Sequence, residues 1–188
     1  MSNSNSTPAP MEAIGRGQFH KVSVVVSTYD RPATLETCLH ALTTQQVSVE
    51  LELIVVDNHP ESGITPPIVA AFPTARLVNE ARGGSSYGRN AGIVASSGQM
   101  IALLDDDVIV PPTWIEDLMA AFTRDDIGVV TGNILPYEVE TEAQRLFQTH
   151  NPLGRGPERQ EFTEAWLASF RKRSAPSHLV GAGANCAV

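Results

Sequence analysis

The run Val22-Ser23-Val24-Val25-Val26-Ser27 is short, β-branched and continuously apolar on its inner face. Residues of that kind suit a strand buried inside a parallel sheet, with helices excluding water from both faces. A chain that contains one must supply amphipathic helices nearby, and the next residues do so. Asp30 and Pro32 mark a helix start, with an acid near the positive end of the helix dipole and a proline in the first turn. Leu35, Cys38, Leu39 and Leu42 then recur at i, i+3, i+4 and i+7, a single apolar stripe.

The rhythm continues. A second strand is predicted over 51–56, ending in Asp57-Asn58, and a shorter third over 76–78. Gly83-Gly84-Ser85-Ser86 leads into a helix carrying Ala91, Val94 and Ala95 and closed by Gly98. A strand over 100–104 runs straight into Asp105-Asp106-Asp107. Thr113-Trp114-Ile115-Glu116 reads as a capping box opening a helix whose Trp114, Leu118, Ala121 and Phe122 share one face. A further strand is predicted over 127–131. This alternation of strands and helices implies a parallel sheet covered by helices on both faces.

Outside this stretch the pattern changes. Residues 1–18 are rich in Ser, Asn and Pro and read as a disordered leader without a signal-peptide apolar region. Beyond about residue 135 the alternation stops: 151–157 read as a loop, and Phe162, Trp166 and Phe170 suggest a helix packed elsewhere. Residues 179–188 read as a strand or tight turn built on Gly181-Ala182-Gly183-Ala184. The implied domains are a leader over 1–18, a ligand-binding subdomain over 19–135 and the start of a second subdomain over 136–188.

A length of 188 residues suits one α/β domain with a fragment of a second. Lys plus Arg number 13 against 21 for Asp plus Glu, a net charge of −8, which argues against general nucleic-acid binding. No stretch approaches the roughly 18 apolar residues of a membrane span. Two cysteines are too few for a disulfide framework or a zinc site. The expectation is a cytoplasmic protein with no transmembrane segment, with peripheral contact at the inner membrane face left open.

In an open parallel sheet, ligands bind beyond the carboxyl ends of the strands. Four polar clusters fall there: Ser27-Thr28-Tyr29-Asp30, Asp57-Asn58, the segment from Gly83 to Asn90, and Asp105-Asp106-Asp107. Strand alternation points Asp105 and Asp107 one way and Asp106 the other. Carboxylates about 6 Å apart repel by roughly 3 kcal/mol at an effective dielectric near 20. A divalent cation removes that cost, and Mg²⁺ characteristically takes one or two carboxylates plus substrate phosphates. The alternative for the three aspartates is a solvated acidic turn. Asp57 can accept from a base N–H or from ribose hydroxyls, or can cap the next turn together with Asn58. Gly83-Gly84 with Ser85 and Ser86 can bring backbone N–H groups to a phosphate, with Arg82 and Arg89 flanking; the alternative is a turn with two surface arginines. No P-loop and no GxGxxG is present. The five histidines lack metal-site spacing, His40 falls on a helix surface, and Cys38 belongs to the core. Trp166 and Phe170 read as packing residues.

Taken in order, Val22 to Pro32, Leu53-Ile54-Val55-Val56-Asp57-Asn58, Gly88-Arg89-Asn90-Ala91-Gly92 and Leu103-Leu104-Asp105-Asp106-Asp107 resemble the family 2 glycosyltransferases from about residue 20 to 135. Gly181-Ala182-Gly183-Ala184-Asn185 resembles a family segment near the acceptor site. The resemblance implies an α/β GT-A (Rossmann-like) three-layer fold with a mostly parallel central sheet, incomplete at the C-terminus. It also implies a nucleotide-diphosphate sugar donor, Mg²⁺ or Mn²⁺, inversion at the anomeric carbon, and a carbohydrate, lipid-linked or small-molecule acceptor. Position by position, Ser27, Thr28, Tyr29, Asp30 and Asp57 would hold the nucleoside, and Arg82, Gly88, Arg89 and Asn90 would lie near pyrophosphate and sugar. Asp105 and Asp107 match the metal-site carboxylates, Asp107 as the direct ligand, with Asp105 or Asp106 nearer the ribose. In this family the general base follows the Gly-rich segment, so it is expected beyond Val188 and the chain reads as a donor-binding portion. Two other readings are a non-catalytic nucleotide-sugar or metal-binding module and an aspartate-dependent phosphohydrolase.

Overall fold

The computed structural model describes residues 19–150, 153–171, 174 and 177–188. The expected leader over 1–18 lies outside the described residues, as do the first two residues of the expected loop over 151–157. Among the described residues six strands form one sheet: β1 (Lys21–Thr28), β2 (Glu50–Asp57), β3 (Ala75–Asn79), β4 (Met100–Asp105), β5 (Val130–Thr131) and β6 (Asn185–Ala187). Their spatial order is β3-β2-β1-β4-β6-β5. The pairs β1–β2, β1–β4 and β2–β3 are parallel. The helices are α1 (Pro32–Thr43), α2 (Thr65–Ala70), α3 (Ser85–Ala95), α4 (Trp114–Ala121), α5 (Glu142–His150), α6 (Glu164–Ala168) and α7 (Ser177–Val180).

Alternation along the strands builds two cores. Val22, Val24 and Val26 of β1, with Leu53 and Val55 of β2 and Ala102 and Leu104 of β4, face Leu35, Cys38, Leu39 and Leu42 of α1 and Trp114, Ile115 and Leu118 of α4. Val25, Ile54, Val56 and Leu103 face the opposite way, beneath α3. Each such side chain removed from water contributes on the order of 1.5–3 kcal/mol. The polar Ser23 within the first run is fully buried because it has a partner: its Oγ donates to Glu52 Oε2 at 2.5 Å and accepts from Gly98 N at 2.8 Å. A Cβ on Gly98 would strike the Ser23 main chain, so this glycine serves close approach. It does not cap the preceding helix, which ends at Ala95 with Ser96 as its cap.

Other expectations are corrected. The helix face carrying Val94 is exposed; α3 lies on the sheet through Gly88 and Gly92. Added Cβ atoms there would strike Ser27 and Val25 respectively, so only glycine lets the helix settle. The capping box at Thr113 does not form: Thr113 Oγ1 donates to Asp117 Oδ2, and Glu116 Oε1 accepts instead from the Ser48 main chain and hydroxyl. The strand predicted over 127–131 shrinks to β5, which pairs with β6 in the antiparallel sense, as β4 also does. Trp114 Nε1 donates to Asn185 Oδ1 at 2.9 Å, which locks β6 onto α4. Helices α2 and α5 have no counterpart in the sequence reading: α2 is only six residues long, and α5, although Ala143, Leu146 and Phe147 share one face, buries no side chain. Around α6 the Trp166 ring meets Phe162 at a tilt and Phe170 edge-to-face, with centroids 4.7 and 4.9 Å apart.

Candidate functional site

Parallel register brings the polar strand ends level. Thr28 pairs with Asp57, Ser27 with Asp105, and Asp57 with Asn79, so β1, β2, β3 and β4 all stop at one rim. Asn58 fastens the loop beyond it: its N–H donates to Thr28 O, its Nδ2 to the carbonyls of Glu80 and Arg82, and its Oδ1 accepts from Gly84 N. Asn58 thus braces two strand ends, and the turn-capping alternative holds for Asp57, whose Oδ1 accepts from the His59 N–H.

Asp57 is completely buried. Its Oδ1 accepts from the His59 main chain at 3.0 Å, while Oδ2 has no partner. A carboxylate oxygen withdrawn from water without a donor is costly, and persists in sites where a ligand supplies one. The His59 ring continues the arrangement: Nδ1 meets Asp30 Oδ2 at 2.6 Å, and the imidazole stacks on Tyr29 with centroids 4.7 Å apart and planes 7° from parallel. Donors from Ser62 and His59 hold the Asp30 carboxyl below the usual carboxylate range. Asp30 adopts φ 51°, a left-handed turn that aspartate tolerates, so it caps no helix.

The three aspartates separate. Asp105 ends β4, and its Oδ1 accepts from Arg89 Nη2 at 2.5 Å. The next two residues leave the strand, so the alternation expected for Asp105 and Asp107 stops: Asp106 and Asp107 share Arg31 instead. Arg31 Nη1 donates to Asp107 Oδ2 at 2.8 Å and to Asp106 Oδ1 at 3.3 Å. Asp106 is buried and takes the Thr28 hydroxyl at 2.6 Å. Burial pushes its carboxyl up, against the pull of Thr28 and Arg31.

Arg82 and Arg89 are each already paired. Arg82 donates from Nε and Nη2 to the buried Glu80 and lies over the Tyr87 ring, and Arg82 side-chain and main-chain donors draw the Glu80 carboxyl down to about 2. Gly88 is buried against Ser27, and Asn90 is exposed on an open groove with Val78, Glu80 and Arg82. Sequence reasoning missed Arg31, His59 and Glu80. Their positions directly after Asp30, Asn58 and the third strand were the available signal.

Among the described residues no group of three or more His, Cys, Asp or Glu side chains is arranged to hold a metal on its own. Cys38 belongs to the core beneath α1, and burial pushes its thiol up to about 12. What remains is oxygen chemistry of the hard kind: a half-exposed Asp107 at the rim, fit for an ion that draws its other ligands from phosphate and water. No described helix is long and apolar enough to cross a membrane.

Comparison with known proteins agrees with this architecture. The profile described as glycosyl transferase family 2 matches residues 23–176. Glycosyltransferase AglE of Haloferax volcanii is 33% identical over 119 residues, covering 60% of this chain and 39% of that protein. The uncharacterized glycosyltransferase YibD of Escherichia coli is 34% identical over 119 residues, covering 61% and 34%. The chain thus spans between a third and two fifths of these relatives. Among solved structures, the mannosyltransferase PcManGT from Pyrobaculum calidifontis in complex with GDP-Man and Mn²⁺ superposes with TM-score 0.53 at 21% identity, covering 60% of this chain and 35% of that one. S. aureus TarS 1–349 in complex with UDP-GlcNAc superposes with TM-score 0.52 at 21% identity, covering 64% and 37%. These two share the GT-A fold.

Proposed function

The chain belongs to glycosyltransferase family 2, and from that premise we propose that its strand-end rim holds the nucleoside diphosphate of an activated sugar, with Mg²⁺ or Mn²⁺, in an inverting transfer to an acceptor hydroxyl. The observation that carries this reading is Asp57: fully buried, beside a stacked Tyr29–His59 pair, with one oxygen that no protein donor serves. A nucleoside supplies what is missing there, a base N–H or ribose hydroxyl for the carboxylate and a flat ring for the exposed Tyr29. Neighbours of the same fold carry GDP-Man with Mn²⁺ and UDP-GlcNAc. The diphosphate common to both is the group proposed for the rim here.

In this reading Ser27, Thr28, Tyr29, Asp30 and Asp57 form the nucleoside side. Asp105 and Asp106 lie towards the ribose, and Arg82, Gly88, Arg89 and Asn90 towards the pyrophosphate and sugar. Asp107 would hold the divalent ion, with Asp105 as its companion in the same motif. The ion, when bound, offsets negative charge on the departing diphosphate. Arg31 and Arg89 face the same anion as permanent cations, and α3 presents its N-terminal N–H groups nearby. The base that takes the acceptor proton is not assigned to a described residue. The donor-binding subdomain is proposed to span 19–135 and the acceptor side to begin at 136, although β6 returns from the latter into the sheet.

Titration calorimetry with UDP, GDP and dTDP, each with and without Mn²⁺, tests this reading. Metal-dependent binding of at least one is expected. Absence of binding to all three, or an Asp107→Ala variant that keeps the metal dependence, overturns it.

A further inference from the structure

Arg31 occupies an electrostatically awkward place. It is the residue immediately before α1, at the end of the helix where unpaired N–H groups concentrate positive charge, and no side chain caps that end. A cation there is disfavoured unless carboxylates hold it, and two do. The hold is loose in form. Only Nη1 is engaged, split between Asp107 Oδ2 at 2.8 Å and Asp106 Oδ1 at 3.3 Å. By contrast Arg82 grips Glu80 through two nitrogens, the stronger bidentate arrangement. Asp106 is buried and already served by Thr28, so its partnership does not depend on Arg31 alone. Asp107 and Arg31 are both about half exposed, and their contact can exchange without unfolding anything.

We propose that Arg31 is a resident counter-cation for Asp107 which a divalent ion must displace, so that the ion binds poorly alone and well only together with a diphosphate. This inference rests on the reading that Asp107 takes the ion. Guanidinium and divalent ion carry the same sign and compete for one carboxylate at the rim. When the ion arrives alone, Arg31 is left at the positive end of α1 with a weaker partner. When diphosphate arrives too, its oxygens offer the guanidinium a planar, charge-assisted replacement. Arg31 is thus a positioning residue that couples the two binding events, and by linkage the coupling is the same in either order.

The experiment measures Mn²⁺ alone, by loss of the free-ion electron paramagnetic resonance signal, and then Mn²⁺ with saturating UDP or GDP. It is run on the unaltered chain and on the Arg31→Gln, Arg31→Lys and Asp107→Asn variants. Arg31→Gln is expected to tighten Mn²⁺ alone about fivefold or more, and to shrink the nucleotide-induced gain by a similar factor. Arg31→Lys, a charge without the fork, should stay close to the unaltered chain for Mn²⁺ alone and lose part of the gain. Near-ultraviolet circular dichroism establishes that each variant is folded. Equal or weaker Mn²⁺ binding by folded Arg31→Gln, or none by either chain, overturns the proposal and makes Arg31 a brace for Asp107. If Asp107→Asn keeps Mn²⁺ binding in the presence of nucleotide, the underlying assignment of Asp107 fails instead.

Discussion

Thr28 at the tip of β1 donates its hydroxyl to Asp106 Oδ2, just beyond β4, at 2.6 Å, and both residues are buried. The bond joins two central parallel strands at the rim and holds down a carboxylate that burial would otherwise tend to neutralise. Thr28→Val keeps the shape and removes the donor. We expect a loss of about 1–3 kcal/mol in urea unfolding, because Asp106 is then under-served in a dry position, while Thr28→Ser recovers most of it.

Asp57→Asn separates stability from binding. The substitution replaces a buried charge that has one unserved oxygen with a neutral amide of the same shape. Unfolding free energy should change by less than about 1 kcal/mol, whereas nucleoside diphosphate affinity should fall roughly tenfold to a hundredfold by calorimetry. Loss of stability with unchanged affinity would make Asp57 a structural residue.

Gly92→Ala tests the seating of α3. Alanine favours a helix interior by about 1 kcal/mol, yet its methyl would strike Val25 and come within 3.1 Å of Val56 Cγ2. Overpacking should win, with a net destabilisation of about 1–3 kcal/mol and a lower thermal midpoint.

Acid should loosen the opposite end of the sheet. Burial raises the Glu52 pKa, but the donors on Ser23, Ser97 and Arg76 outweigh it and bring the carboxyl from 4.5 down to about 2. A depressed folded-state pKa contributes stability that is fully present above the unfolded value near 4.5 and is lost as pH falls towards about 2. The size is of the order of 2–3 kcal/mol. Urea midpoints between pH 6 and pH 2 should fall less steeply in Glu52→Gln than in the unaltered chain, with Ser97 and Gly98 at the α3–β4 turn the first to exchange their amide protons.

Much of the architecture was legible from local pattern. The Leu35–Cys38–Leu39–Leu42 stripe is buried as its spacing implied, and the apolar runs ending in Thr28, Asp57 and Asp105 are the central strands. The polar strand ends do meet at one rim. Pattern misled where a residue had two uses. Gly98 reads as a helix stop but serves close approach to Ser23, and Glu116 reads as half of a capping box but is drawn across to Ser48. At the C-terminal end, β6 enters between β4 and β5 from a segment some 80 residues later than β4, a pairing with no local signature.

Periodicity and side-chain chemistry are properties of neighbouring residues, so the linear order of amino acids was enough to establish the strands, the dry helix faces and the acidic character of the rim. Which arginine meets which aspartate was decided only by folding. Arg31 and Asp107 are 76 residues apart, and Arg89 and Asp105 are 16 apart. Each pair meets because parallel register sets β1 beside β4, while the glycines of α3 lower that helix onto the sheet. Charges act through distance in space, and no spacing along the chain encodes that distance until the sheet has closed.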